Sequence, residues 1–315
     1  MVTRAFTSAV LIASLGCSGA PPAARSPGGA PSSDVCASAA EPRVSGRVDD
    51  DRLQEISGIA ASRRQPGVFF VHNDSGDSPR FFAVNAEGRT LSEFTLPLSR
   101  VLDVEDVAVG PGPGGKSYVY LADIGDNVAR TGLGLSRPVI TVYRVAEPEL
   151  KTKAAGTLEL SAVDALDFTY PDRGHDAEVL LVDPVSGDIH VVSKENDGQS
   201  IVFRASAPLE SGPPRQLQEV TRLVFGRGSL PGNHMPTAGD VAPAGQAIVI
   251  RTYSSIFVWA RPSGASIAEA LRGTPREVPT PRQPQGEAVT FAADGRGLYT
   301  ISEQAHQPLF FVACE

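Results

Sequence analysis

His72-Asn73-Asp74-Ser75-Gly76-Asp77 lies between two apolar runs, Gly67-Val68-Phe69-Phe70-Val71 and Arg80-Phe81-Phe82-Ala83-Val84. β-Branched and aromatic residues flanking a cluster of Asn, Asp, Ser and Gly predict a hairpin with a polar loop. The unit recurs. Leu121-Ala122-Asp123-Ile124-Gly125-Asp126-Asn127 follows the strand-like Ser117-Tyr118-Val119-Tyr120, and Val191-Val192-Ser193-Lys194-Glu195-Asn196-Asp197-Gly198 repeats the pattern. Weaker copies stand at Arg251-Thr252-Tyr253-Ser254 and Ser302-Glu303-Gln304-Ala305-His306.

Ahead of each loop runs a short apolar segment that opens on an acidic or small residue. These segments are Ser57-Gly58-Ile59-Ala60, Glu105-Asp106-Val107-Ala108, Glu178-Val179-Leu180-Leu181, Gly239-Asp240-Val241-Ala242 and Glu287-Ala288-Val289-Thr290. A third strand follows each loop, as in Val139 to Arg144, and a less apolar fourth closes the unit, as in Thr90 to Phe94 or Thr157 to Leu160. Four antiparallel strands repeated radially predict an all-β fold, a β-propeller of five blades. The long interval before Glu178 leaves room for a sixth blade, and a β-sandwich with long loops is the competing architecture. The last unit has only three strands, so Arg43 to Val48 is expected to supply its fourth and close the ring.

The 31 Gly and 26 Pro residues, spread between short apolar runs, suit many tight turns. A net charge of −8 argues against nucleic acid or an anionic membrane surface as partner. Residues 1–17 read as an export signal: Arg4, an apolar run from Ala9 to Ala13, then Ser14-Leu15-Gly16-Cys17, which resembles a bacterial lipobox with Cys17 as the lipidated residue. Ordinary secretion is the alternative. Residues 18–42 are expected to be a Pro/Ala/Gly/Ser tether and 43–315 the propeller. Cys36 and Cys314 remain to pair in an oxidising compartment, or to stay as two buried thiols. The expected place is the cell envelope, facing periplasm or exterior, with a monomer held to the membrane through its N-terminal lipid alone.

Propeller topology gathers the loops entering each inner strand and the polar loops onto one face. The expected binding face carries His72, Asn73, Asp74, Asp77, Glu105, Asp106, Asp123, Asp126, Asn127, His175, Asp176, Glu178, Lys194, Glu195, Asp240, Arg251, Tyr253, Glu287 and Glu303. Converging carboxylates need compensation. Calcium held by Glu105, Glu178, Asp240 and Glu287 is one source, and pairing with Lys194 or Arg251 is another. A structural clasp onto backbone N–H groups is the third, and a catalytic acid/base pair also remains open. His72, His175, His234 and His306 show no shared metal-ligand spacing. No Gly-x-Ser-x-Gly elbow, phosphate loop or full EF-hand is present, and Asp123 to Asn127 is explained equally by turn geometry. Trp259, Phe257 and Tyr253 are expected in core or rim.

The loop His72 to Asp77, with Glu105 to Gly110, Asp123 to Asn127, His175-Asp176-Ala177-Glu178 and Gln285-Gly286-Glu287-Ala288, resembles a group of uncharacterised exported bacterial propellers. That group is similar to the phytase-like (esterase-like) and SdiA-regulated propellers. The resemblance implies an exported or anchored propeller that uses calcium. The leading expectation is binding of a small molecule or protein partner on the acidic face. A calcium-dependent phosphoesterase or esterase-like hydrolase is the alternative, and a purely structural lipoprotein the third.

Overall fold

The apolar segments found by the repeat are the inner strands of five sheets in the computed structural model, which describes residues 1–2, 35–150, 156–226 and 233–314. The lipobox and Cys17 lie outside the described residues, as does most of the expected tether. Among the described residues no helix is long and apolar enough to cross a membrane.

Blade one consists of Ile56–Ala61, Val68–Asn73, Arg80–Asn85 and Thr90–Thr95. Blade two consists of Val104–Pro111, Ser117–Asp123, Ile140–Ala146 and Asp164–Thr169. Blade three is Ala177–Val182, Ile189–Ser193, Gln199–Ala205 and Gln218–Val224. Blade four is Pro236–Val241, Ala247–Thr252, Ile256–Ala260 and Arg276–Val278. Blade five takes Gly286–Phe291, Gly297–Ser302 and Pro308–Ala313, and Arg43–Arg47 completes it by pairing with Pro308–Ala313. Inner strands touch in sequence and the fifth returns to the first, so the ring is closed.

Two outer strands depart from the repeat. Thr157–Glu159 is not the fourth strand of blade two but runs parallel beside Thr90–Thr95 as a fifth strand of blade one. Arg215–Gln216 does the same for blade two, parallel to Asp164–Thr169. The long interval before Glu178 therefore holds this strand exchange and a short helix, Asn127–Thr131, in place of a sixth blade. A second helix, Ile267–Leu271, begins at a capping box between Ser266 and Glu269.

Each pair of neighbouring blades encloses its own apolar cluster. Between blades one and two Phe70, Phe81 and Phe94 pack edge-to-face and stacked, with centroids 4.9 to 6.3 Å apart. Such pairs add about 0.5–1.5 kcal/mol each beyond the area they bury. Trp259 is buried between blades three and four, and its indole N–H donates to Gly273 O. At the seam, Val35, Cys36 and Ala39 pack on the cluster of blades four and five, and Cys36 is joined to Cys314 by a disulfide. These three residues fall within the segment whose composition reads as tether.

Candidate functional site

All five inner strands carry a register shift at the same place, near their start. A β-bulge turns one extra side chain out of the ladder and re-aims it. The bulged residues are Ser57, Glu105, Glu178, Thr237 and Glu287. Two hydroxyls close the ring structurally: Ser57 Oγ donates to Glu105 O and Thr237 Oγ1 to Gly286 O. The three glutamates instead form the floor of the channel mouth.

Two further rings surround that floor. Residues just before the inner strands are Glu55, Asp103, Asp176, Met235 and Gln285, and residues just after the second strands are Asp74, Ile124, Lys194, Tyr253 and Glu303. Backbone bonds tie most of these pairs in the same way, for instance Asp74 N to Glu55 O and Lys194 N to Asp176 O, both 2.8 Å. Blades one to three thus bring Asp74, Asp103, Glu105, Asp176 and Glu178 together. One oxygen each of Asp74, Asp103 and Glu105 lies within 4.8 Å of the others, and Glu105, Asp176 and Glu178 form a second such group. Gly125 backs both groups, because a Cβ there would collide with Glu105 Oε1 and Asp103 Oδ2.

Compensation is sparse. Glu105 is 3% exposed, and among the described residues its carboxylate accepts no hydrogen bond. Burial, then Glu178 and Asp74, push it well above the carboxylate range. Burial and the neighbouring Asp74 and Asp176 push Asp103 up to about 6, and burial takes Glu287 to about 7. Gln285 donates to Glu287 Oε1 at 2.8 Å while Oε2 is buried without a partner. Lys194 is the one ammonium in these rings: it pairs with Glu178, donates to Tyr253 Oη at 2.7 Å, and lies 5.0 Å from the centre of that ring. Burial opposes its charge, but Glu178 and Tyr253 more than restore it.

Other acids of the expected face serve as clasps. Asp106 accepts from Val107 N at 2.9 Å, Leu180 N at 2.9 Å and Gly239 N at 3.2 Å, crossing from blade two to blades three and four. Asp240 sits three residues beyond the bulge of its strand and so leaves the glutamates. It accepts from Val241 N, Phe291 N and Thr290 Oγ1 and pairs with Arg63. Asp123 accepts from Leu102 N and Asp103 N and pairs with Arg137. Asp126 caps the helix Asn127–Thr131 and takes Ser136 and Arg137 N, while the Asn127 side chain accepts from Arg130. Asp176 is held by Asp126 N and Arg130. In the first polar loop Asn73 donates to Arg52 O and Asp77, and Asp77 pairs with Arg80, which is turn chemistry.

The histidines do not gather. His72 is buried beneath the loop, with Nδ1 on Asn73 O and Nε2 unpartnered against Gly58. His175 is clamped between Glu195 at 2.6 Å and Asp172 at 3.1 Å and packs on Tyr170 and Phe203. Arg251 is fully buried, bonded to Thr252 O, Gln283 and Thr300. Glu303 is half-buried at the rim, raised by burial and by Asp74 and Glu55. Asp103 and Glu55 extend the expected set. Asp103 precedes Glu105 as Asp176 precedes Glu178, so the internal alignment contains the signal for it.

Fold and site together define a five-bladed propeller with an acidic mouth at one end of its channel. The chain matches no protein-family model and no curated protein.

Proposed function

We propose that this protein is an exported, lipid-anchored binding propeller whose channel mouth holds calcium at Glu105, the metal-loaded face then taking up a ligand or protein partner. The observation that carries the reading is the Glu105 carboxylate, buried among four other acids without a donor. A buried carboxylate in that setting either keeps its proton or takes a cation. Oxygens bound to one Ca²⁺ at about 2.3–2.6 Å lie no more than about 5 Å apart, and the two carboxylate groups sharing Glu105 meet that limit. A hard, oxygen-preferring ion suits a set of carboxylates with no thiol and no converging imidazole. The disulfide supports an oxidising compartment outside the cytosol.

The test is thermal melting and calorimetric titration with Ca²⁺, with Mg²⁺ as comparison. Saturating calcium at about 100 times its Kd stabilises the fold by about 2.7 kcal/mol. Glu105→Gln removes that gain, and without metal this variant melts above the parent because folding no longer has to force a proton onto a buried carboxyl. A parent melting temperature indifferent to calcium overturns the reading, as does an undiminished gain in Glu105→Gln.

A further inference from the structure

The turns joining first and second strands meet at the other end of the channel, away from the acidic mouth. Blade one contributes Arg63 there, blade two the turn carrying Lys116 and Ser117, and blades three to five contribute Pro184, Pro243 and Ala293. All five blades therefore line one pocket of about 290 Å³. That is several times the roughly 30 Å³ share of one liquid water.

Its polar groups are donors. Arg63 uses Nη2 on Val241 O at 3.1 Å and on Asp240 Oδ1 at 3.3 Å, while its Nη1 is buried with no acceptor. Ser117 Oγ is likewise buried without a partner. Lys116 is exposed, and its ammonium has no ion pair among the described residues. Two acids lie nearby: Asp240 is satisfied by Val241 N, Phe291 N and Thr290 Oγ1, and Glu147, whose N–H donates to Ser117 O, takes Ser62 Oγ and Arg64 N on one carboxylate oxygen while the other is buried without a partner. A buried donor left unmade carries its full desolvation penalty, larger when the group is charged. Two such donors and a free ammonium around a pocket suit a group with several acceptor oxygens and negative charge, and they disfavour a metal cation. Prolines and glycines supply the remaining wall and compete for none of these bonds.

We propose that the lower end of the channel binds a small oxyanion, a phosphate or a carboxylate, between Arg63, Lys116 and Ser117. The guanidinium Nη1 and the serine hydroxyl donate to its oxygens, and Lys116 closes over it from the solvent side. The site is independent of calcium at the opposite mouth.

The experiment titrates the whole protein calorimetrically with inorganic phosphate and, separately, with acetate, at ionic strength fixed with chloride. One saturable site per chain is expected for at least one of the two, and the preferred anion tells a phosphate from a carboxylate ligand. Lys116→Glu weakens binding at least tenfold, Arg63→Met abolishes it, and Glu105→Gln leaves it unchanged. Should Arg63→Met fail to fold for want of its bond to Asp240, the exposed and unpaired Lys116→Glu decides alone. Absence of saturable binding by both anions overturns the proposal, as does binding undiminished in Lys116→Glu.

Discussion

The carboxylates of Glu105 and Asp106, one residue apart, differ in what they accept. The bulge aims Glu105 into the mouth with no donor, whereas Asp106 takes three backbone N–H groups inside the ring. An alternating strand would send them to opposite faces, but only the bulge says which one reaches the mouth, and no bulge is visible in an Asp-Val-Glu-Asp-Val string. The same shift explains Asp240, which the apolar pattern aligns one residue from Glu178 and the ladder aligns two residues beyond that. His72 illustrates a second fate. Burial lowers its imidazole to about 4, against 6.5 when free, so it is neutral in the fold. As pH falls below 6.5 the unfolded chain binds the proton first. Stability is therefore lost between about 6.5 and 4, up to roughly 3 kcal/mol for the full shift. His190 behaves alike, also through burial, whereas the raised mouth acids act with opposite sign. The difference between parent and His72→Gln isolates the residue: urea unfolding at pH 7 and at pH 4.5 is expected to show a smaller acid loss in the variant. Equal losses in both proteins would contradict a neutral His72.

At the scale of elements, inner strands and polar loops were legible because each repeats the same apolar run and turn cluster. The closing strand was legible as well, since the last unit lacks one and Arg43 to Val48 alternates suitably. Outer strands were not. Thr157–Glu159 and Arg215–Gln216 are exposed and short, and they join a neighbouring sheet in parallel, so nothing in their own composition names the blade they enter. The seam depends on Arg43–Arg47 and on the disulfide, whose partners are 278 residues apart. A cross-link closing so long a loop stabilises by about 3–5 kcal/mol on the chain-entropy model. Cys314→Ser is expected to lower stability by that amount, with hydrogen exchange rising first in Pro308–Ala313 and Arg43–Arg47. Loss of protection spread evenly over all blades would show that the bridge does not guard the seam.

For the whole molecule, charge is distributed along the axis: the mouth concentrates acids around one lysine, and the other end presents Arg63 and Lys116. Calcium binding at the mouth must displace protons from carboxylates that burial has pushed up, Asp103 to about 6 among them. Asp103 is protonated below that value and free above it, and burial holds the proton on Glu105 more tightly still. Apparent calcium affinity is thus expected to rise at least tenfold from pH 5 to pH 7.5, as read by isothermal titration. A flat profile would place the ion away from Asp103 and Glu105.

The reach of Asp106 across the axis has a further consequence. Its side chain ties three blades together at once, placing a buried carboxyl between the acidic mouth and the far end of the ring. On the two readings proposed above, a variant that loses phosphate or acetate at Lys116 should therefore keep its full calcium response at Glu105, and the reverse.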